Sequence, residues 1–129
     1  MIILKDLDVT SLLKAAAKFD EVMALVVDPI IRDAAIQRFE FTYELVWKTL
    51  RKILLRRGLE ANSPKSVFRL AAQDNIINDI DRWFSFVDYR NQTSHVYNEN
   101  IAQEIYIHLA DFQHLTNVLI TKLKTLEFK

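Results

Sequence analysis

The residue types that could carry out chemistry lie together in one short stretch, which runs from Arg90 to Tyr97 and reads RNQTSHVY. A guanidinium can hold a phosphate with two parallel hydrogen bonds, and an imidazole near neutral pH can accept or donate a proton. On a helix, Asn91 and His95 lie one turn apart on the same face, and Arg90 lies at its edge. This is the minimum equipment for metal-free RNA cleavage at a 2′-hydroxyl, although the same residues also serve as caps and surface hydrogen-bonding groups.

The remaining candidates for site chemistry have ordinary structural interpretations as well. A tyrosine just past a helix end, such as Tyr97, is commonly a half-buried anchor with a hydrated hydroxyl. His108 and His114 are six residues apart, a spacing that does not align them on a helix for a metal ion. We expect both histidines to be packing or surface residues, and we predict no metal site.

Two more charged groups precede this stretch. Glu40 and Glu44 are one turn apart and could form a catalytic carboxylate pair, but such a pair is also ordinary helix surface. Farther along come five basic residues with no acid among them: Lys48, Arg51, Lys52, Arg56 and Arg57. This basic strip is either a solvated face or a docking strip for phosphates or for an acidic partner.

The composition excludes several functional classes. A chain of 129 residues predicts a single domain, residues 1–129, that can bury a core without disulfides. With no cysteine there can be no thiolate metal site or cysteine nucleophile, and with one glycine there can be no glycine-rich phosphate loop. A formal net charge of zero weighs against bulk attraction to nucleic acid but leaves a local basic patch open.

Nothing in the sequence predicts a targeting segment or a membrane span. The first residues, MIILKDLD, lack a basic flank followed by a long apolar stretch, and the longest apolar run, Val22 to Val27, is too short to cross a bilayer. We therefore expect a cytoplasmic protein with no membrane contact and no cofactor.

The elements that must position these residues are helices, because one glycine among 129 residues leaves few places for tight turns. Asp28-Pro29 predicts the end of a first helix and the start of a second, which runs to Arg57 and is closed by Gly58. Apolar residues at spacings of three and four predict the buried faces. These are Leu12, Ala16, Phe19, Met23 and Val26 in the first helix, and Ile36, Phe39, Tyr43, Val46, Leu50 and Ile53 in the second.

Three further helices are predicted. Ser63-Pro64 begins a short helix that ends near Gln73, and a fourth helix runs towards His95. The polar break Asn98-Glu99-Asn100 offers cap candidates for the last helix, with Gln103 three residues after Asn100 in a variant capping box. The predicted inner residues are Ile80, Trp83, Phe84 and Val87 in the fourth helix, and Ile105, Leu109, Phe112, Leu119, Leu123 and Leu126 in the last. We predict an all-α, up-and-down four-helix bundle with an additional short helix.

The second helix carries more aromatic residues than one buried stripe holds: Phe39, Phe41, Tyr43 and Trp47. They are either all core, or part of the second face is buried against another copy of the chain, because aromatic residues are enriched in interface cores.

Two parts of the sequence resemble a known family. The pattern R-x4-H-x-Y, formed by Arg90, His95 and Tyr97, resembles the signature of the HEPN superfamily, in its HepT and nucleotidyltransferase substrate-binding branch. The second-helix stretch FEFTYELVWKTLRKILLRRG, Phe39 to Gly58, resembles the same branch, as does the order of helices. The resemblance covers the chain from about Leu12 to Leu126.

The resemblance implies a homodimeric RNase toxin of a toxin-antitoxin pair, encoded beside an MntA-like minimal nucleotidyltransferase that silences it by adding AMP to Tyr97. Carried over by residue, Arg90 would bind and polarise the phosphate, His95 would transfer protons, and Asn91 would orient them. Two alternatives stay open. One is a non-enzymatic substrate-binding subunit of a two-component nucleotidyltransferase, and the other is a helical dimerisation scaffold.

Overall fold

The structure, a computed structural model, describes residues 3–4 and 7–125. Two short strands, β1 (Ile3–Leu4) and β2 (Leu7–Asp8), pair antiparallel. The helices of the described residues are α1 (Thr10–Met23), α2 (Pro29–Arg56), α3 (Pro64–Gln73), α4 (Ile80–Gln92), α5 (Glu99–Ile107) and α6 (Leu109–Leu123), with a 3-10 turn at Thr93–His95. The predicted all-α class is confirmed, and the two-residue strands are an addition that the sequence did not predict.

Helix α2 is the centre of the fold, since it contacts α1, α3, α4, α5 and α6. Its 28 residues span about 42 Å. The Asp28 carboxylate accepts a hydrogen bond from the Ile31 N–H at 2.7 Å, which confirms the predicted cap. At the other end Gly58 has φ +78°, the left-handed conformation that closes a helix without a Cβ clash. All six predicted core positions of this helix are buried.

An aromatic cluster holds α4 against the rest of the bundle. The Phe112 ring of α6 meets the rings of Phe19, Phe39 and Phe86 edge to face, with centroids 5.7, 4.8 and 5.2 Å away. Trp83 of α4 stacks on Phe68 of α3 at 5.1 Å. Such pairs add to the stabilisation from burial itself. The packed rings therefore fix α4 in place, and with it the residues at its carboxyl end.

Helix α3 begins as the sequence predicts. The Ser63 hydroxyl accepts a hydrogen bond from the Ser66 N–H at 3.4 Å, and the Ser66 hydroxyl accepts one from the Ser63 N–H at 3.1 Å. This reciprocal cap satisfies donors that a helix start otherwise leaves unpaired. It places Ser63 and Pro64 beside the carboxyl end of α4.

One core prediction in the first four helices was wrong, and three predicted residues pack against the core without being fully buried. Helix α1 ends at Met23, so Val26 lies in the connector, 89% exposed, and Met23 is only half-buried. The connector must reverse the chain before the extended residue Asp28, which removes Val26 from the helix face. In α4, Trp83 and Val87 are buried, whereas Ile80 and Phe84 are half-buried and Phe86 is an additional core residue.

The last predicted helix is two helices. Of the predicted cap candidates, Asn98 caps α5, because its side chain accepts hydrogen bonds from the N–H groups of Asn100 and Ile101. At His108 the backbone forms a tighter turn, because its N–H donates a hydrogen bond to the carbonyl of Ile105, three residues earlier. Helix α6 then begins at Leu109. The His108 ring stacks on Tyr89 at 4.6 Å. Five of the six predicted inner residues are buried, and Leu126 lies outside the described residues.

Arg32 joins the start of α2 to the start of α5. Its guanidinium donates to the Glu99 carboxylate at 2.8 and 3.3 Å and to Asp33 at 3.2 and 3.3 Å. This clamp fixes the position at which the segment after His95 re-enters the bundle. Among the described residues, no helix is both long and apolar enough to cross a membrane.

Candidate functional site at the carboxyl end of helix α4

Arg90 lies in the last turn of α4 and is held there by Thr93. Its Nη1 donates a hydrogen bond to the Thr93 hydroxyl at 3.0 Å, and that hydroxyl donates to the Arg90 carbonyl at 2.7 Å. Thr93 is itself buried. A buried hydroxyl with both bonds made restricts the rotamers of the arginine beside it.

Two carboxylates of α2 face the same guanidinium without hydrogen bonding to it. Arg90 Nη1 is 3.8 Å from Glu40 Oε2, and Arg90 Nε is 3.6 Å from Glu44 Oε1. Arg90 Nε is buried and has no hydrogen-bond partner. An unpaired buried N–H costs about 1–3 kcal/mol, so an arriving oxygen ligand that satisfies it would be favoured.

Glu44 is shared among three partners. Besides facing Arg90, its carboxylate accepts a hydrogen bond from Trp47 Nε1 at 3.2 Å and pairs with Lys48 Nζ at 3.7 Å. The carboxylate is therefore not available as a free base. It connects the Arg90 site to the basic strip one turn farther along α2.

A cavity of about 380 Å³ opens beside Arg90, between α2, the start of α3 and the end of α4. It is lined by Tyr43, Glu44, Ser63, Pro64, Lys65, Val87, Arg90 and Asn91. Burial, with a smaller contribution from the charge of Glu44, raises the pKa of the Tyr43 hydroxyl, and Arg90 opposes that shift. Tyr43 is therefore a neutral hydrogen-bonding group at physiological pH. Besides the Glu44 carboxylate, the cavity holds Arg90, the Ser63 and Tyr43 hydroxyls, and Lys65, which pairs with Asp88 at 3.3 Å. The guanidinium and the hydroxyls are groups that bind a phosphate.

The structure places His95 and Tyr97 just beyond this cavity. Helix α4 ends at Gln92, and the chain continues through the 3-10 turn that ends at His95. In such a turn residues three apart eclipse, so the α-helical alignment predicted for Asn91 and His95 is not kept. His95 is exposed, Tyr97 is 82% exposed, and their ring centroids are 6.0 Å apart.

The predicted site residues thus fall into two pairs. Arg90 and Asn91 share the cavity, and Asn91 also accepts a hydrogen bond from the Ser94 hydroxyl through its carbonyl at 3.4 Å. His95 and Tyr97 share the exposed turn that follows. The two pairs are joined along the chain by Thr93, which the sequence analysis did not single out.

Glu40 and Glu44 face Arg90, which the spacing within α2 does not predict. Their contact with Arg90 joins residues about 50 positions apart in the chain, which no local spacing predicts. The available signal was their position beside the buried Phe39 and Tyr43, which turns that edge of α2 towards the bundle.

The basic strip separates into two parts. Lys48, Arg51 and Lys52 line a cavity of about 430 Å³ between α1 and α2. Arg57 instead pairs with Asp74 at 2.5 Å. Of the aromatic residues of α2, Phe39 and Tyr43 are core, Trp47 is half-buried and Phe41 is 59% exposed.

The remaining histidines have the roles expected of them. His108 packs on Tyr89, and His114 is exposed. In the part of the chain that the structure describes, no three His, Asp or Glu side chains are grouped closely enough to hold a metal ion.

The fold and the site together define a class of protein. It is a helical bundle around one long helix, with an arginine, an asparagine, a histidine and a tyrosine at the carboxyl end of α4 and in the turn that follows. The chain belongs to the family described as nucleotidyltransferase substrate binding protein like, which it matches over residues 7–125. The resemblance carried by Arg90, His95, Tyr97 and the stretch from Phe39 to Gly58 is thereby confirmed.

Relatives with known names or structures agree with this membership. The chain is 32% identical over 111 residues to the probable ribonuclease HepT of Haemophilus influenzae, an alignment that covers 82% of this chain and 75% of that protein. A Thermus thermophilus protein of known structure is 39% identical, with a TM-score of 0.83 over 88% of this chain and 98% of its own.

A second solved structure shows the same fold at lower identity. It is a Haemophilus influenzae protein reported to have the fold of a substrate binding domain of a nucleotidyltransferase. It is 24% identical, with a TM-score of 0.79 over 91% of this chain and 99% of its own.

Proposed function

We propose that this protein is a HEPN-type toxin subunit that cleaves RNA without a metal ion, and that an MntA-like nucleotidyltransferase neutralises it by adding AMP to Tyr97. The observation that carries the proposal is the position of Arg90, which Thr93 holds beside a cavity and whose buried Nε makes no hydrogen bond. The named relative, a probable ribonuclease, supports the same reaction class.

In the proposed reaction the 2′-hydroxyl oxygen of a ribose attacks the adjacent phosphorus, and the bond from phosphorus to the 5′-oxygen breaks. One group takes the proton of the 2′-hydroxyl, and another gives a proton to the leaving 5′-oxygen. His95 is exposed, and an imidazole can accept or donate a proton, so it suits either step. Arg90 would hold the phosphate and offset its developing charge, with Asn91 orienting it.

Each chain contributes one histidine to this segment, whereas the reaction needs a proton acceptor and a proton donor. We therefore propose a homodimer whose two-fold axis brings two copies of Arg90 and His95 together, because a two-fold interface places the same patch on both sides. Mixing wild-type and His95→Ala subunits tests this arrangement. If the site needs both subunits, the activity of the mixture should be proportional to the square of the wild-type fraction. Activity proportional to the wild-type fraction itself would mean that each subunit acts independently.

The direct test of RNA cleavage compares His95→Ala with His114→Ala, which removes an exposed histidine of helix α6. Incubated with a defined RNA, the wild type and His114→Ala should give products with 2′,3′-cyclic phosphate and 5′-hydroxyl ends. His95→Ala should be slower by about 100-fold or more. Full activity of His95→Ala would overturn the proposed mechanism.

The regulatory part of the proposal depends on Tyr97, which at 82% exposure is open to a modifying enzyme. Its phenolic oxygen would attack the α-phosphorus of ATP, lose its proton and release pyrophosphate. The added AMP would place a phosphate and an adenosine two residues from His95, where they would obstruct RNA and compete for Arg90.

Intact-mass analysis of the chain produced with and without the neighbouring nucleotidyltransferase tests the modification. We expect one AMP adduct on the wild type and on Tyr106→Phe, and none on Tyr97→Phe. An unmodified Tyr97 in both preparations would remove this half of the proposal. If the purified dimer cleaves no RNA but binds the nucleotidyltransferase with or without Arg90 and His95, the alternative of a substrate-binding subunit holds instead.

A further inference from the structure

A groove formed by two neighbouring cavities runs along the side of α2 that faces α1. Two adjacent cavities of about 250 and 430 Å³ lie between α1 and α2, and Ser11 lines both. On α2 the groove follows one helical face at spacings of three and four: Arg38, Phe41, Leu45, Lys48, Lys52 and Leu55. From Arg38 to Lys52 this face is about 21 Å long.

The groove is strongly basic although the chain as a whole is neutral. Its cationic residues are Lys14, Lys18, Arg38, Lys48, Arg51 and Lys52. Of the described residues that line it, only Asp8 is acidic; its carboxylate accepts a hydrogen bond from the Thr10 N–H at 2.9 Å and interacts with the charge of Lys52. Within the described part of the chain, Lys14, Lys18 and Arg51 form no ion pair with an acid, and all three line the open groove.

Phe41 lies among these cations. Its side chain is 59% exposed, whereas Phe39 and Tyr43 on the inner face of the same helix are buried. Cations that follow a backbone, interrupted by an exposed aromatic ring, are the arrangement by which proteins bind single-stranded nucleic acid, with bases stacking on the ring. A single strand uses both features at once, because its phosphates contact the cations and its bases stack on the ring.

The groove is also connected to the Arg90 site through one side chain. The Glu44 carboxylate is 3.6 Å from Arg90 Nε and 3.7 Å from Lys48 Nζ, so Lys48 borders both regions. A strand that follows the groove past Lys48 therefore reaches the edge of the helix beyond which Arg90 and its cavity lie.

From these observations we infer that the groove between α1 and α2 is the docking surface for a single RNA strand, whose phosphates contact the six cations and one of whose bases stacks on Phe41. The inference rests on the proposed ribonuclease activity and names the surface that holds the substrate. It places substrate affinity in residues that do not take part in bond cleavage.

The test measures binding of a fluorescein-labelled, fully 2′-O-methylated 12-nucleotide RNA by fluorescence anisotropy at several salt concentrations. This RNA has no 2′-hydroxyl to attack, so binding is read without cleavage. Lys48→Gln/Lys52→Gln should weaken binding about tenfold or more and reduce the slope of log K against log salt by about 1.4, because each phosphate contact on a single strand contributes about 0.7. Phe41→Ala should weaken binding about tenfold with the salt slope unchanged.

The matched control is Arg82→Gln/Lys124→Gln, which removes the same charge from exposed positions outside the groove and should bind RNA as the wild type does. Thermal melting checks that each variant is folded. Wild-type affinity and salt slope in the Lys48→Gln/Lys52→Gln variant would overturn the inference. The inference would also be overturned if the Lys48→Gln/Lys52→Gln variant lost binding to an acidic polypeptide, such as polyglutamate, but still bound RNA as the wild type does. The groove would then serve an acidic protein.

The failure of this inference can be told apart from failure of the proposed function. RNA cleavage that depends on His95 but is unaffected by the Lys48→Gln/Lys52→Gln pair means that the activity stands and the groove does not serve it. Groove-dependent RNA binding by a wild type that cleaves no RNA means that the docking surface stands and the ribonuclease activity does not.

Discussion

Arg32 and Arg90 each face two carboxylates, but at different distances. The Arg32 guanidinium makes hydrogen bonds of 2.8–3.3 Å to Glu99 and Asp33, and its side chain is 9% exposed. The Arg90 guanidinium lies 3.6 and 3.8 Å from its carboxylates, is 33% exposed and has a buried Nε without a partner. The Arg32 guanidinium already makes hydrogen bonds to both of its carboxylates, whereas the Arg90 guanidinium can still donate a hydrogen bond to a ligand in the open cavity. The completeness of hydrogen bonding, rather than residue type, separates the two roles.

The largest expected difference comes from removing each arginine in turn. Arg90→Ala should lower the rate of RNA cleavage by about 100-fold or more while leaving the melting temperature close to that of the wild type. Arg32→Ala should do the reverse, lowering the melting temperature by several degrees and leaving the cleavage rate of folded protein near the wild-type value. Cleavage rates and melting curves for the same preparations check both statements. Equal losses of activity in the two variants would mean that Arg90 is not the phosphate-binding arginine and Arg32 the structural one.

The next largest effect should come from the residue that holds Arg90. Thr93→Val keeps the shape of the side chain but removes the acceptor for Arg90 Nη1 and the donor to the Arg90 carbonyl. We expect RNA cleavage to fall about tenfold, because the guanidinium loses its fixed position. Thr116→Val is the matched control, since Thr116 is buried but its hydroxyl has no hydrogen-bond partner. A Thr93→Val variant with wild-type cleavage would mean that Arg90 does not depend on this contact.

A smaller effect, in the opposite direction, is expected at Glu44. Glu44→Gln removes a negative charge near the bound phosphate and releases Lys48, so the KM for RNA should fall by about two- to fivefold at low salt. Glu104→Gln makes the same charge change at an exposed position of α5 and should leave KM unchanged. Steady-state kinetics measure the change, and a raised KM would show that Glu44 helps to bind RNA rather than opposing it.

The smallest effect is a pH dependence of the Arg32 clamp. Hydrogen bonds and charge from Arg32 hold the pKa of the Glu99 carboxyl below its ordinary value. A carboxyl whose pKa is lower in the folded state stabilises the fold above its unfolded pKa, and that contribution is lost as the pH falls through the folded pKa. The melting temperatures of the wild type and Glu99→Gln should therefore differ by about 1–2 °C near neutral pH and converge in acid. A difference that stays constant down to about pH 3 would contradict this.

Local sequence signals predicted most of the fold. The bounds of α2 and α3 follow from Asp28, Ser63 and Gly58, whose roles depend only on neighbouring residues. The break at His108 has no such signal, because no glycine or proline marks it and the stacking on Tyr89 comes from another helix.

The site was predictable only in part. Sequence spacing brought Arg90, Asn91, His95 and Tyr97 together, but it could not separate the cavity pair from the exposed pair, because the 3-10 turn depends on the Thr93 hydrogen bonds. The contacts from α2 to Arg90 join distant parts of the chain and depend on how α2 and α4 pack. The groove with Phe41 likewise depends on where α1 lies, and the basic residues alone left it open whether they form a solvated face or a docking strip.

We propose that Arg90, unlike Arg32, receives the phosphate of RNA. The most direct measurement is the ¹H–¹⁵N NMR signal of each arginine Nε–H, assigned with Arg90→Lys and Arg32→Lys variants, during titration with the 2′-O-methylated RNA. We predict that the Arg90 signal shifts as RNA saturates the protein and that the Arg32 signal stays in place. An Arg90 signal that does not move while RNA is demonstrably bound would contradict the account.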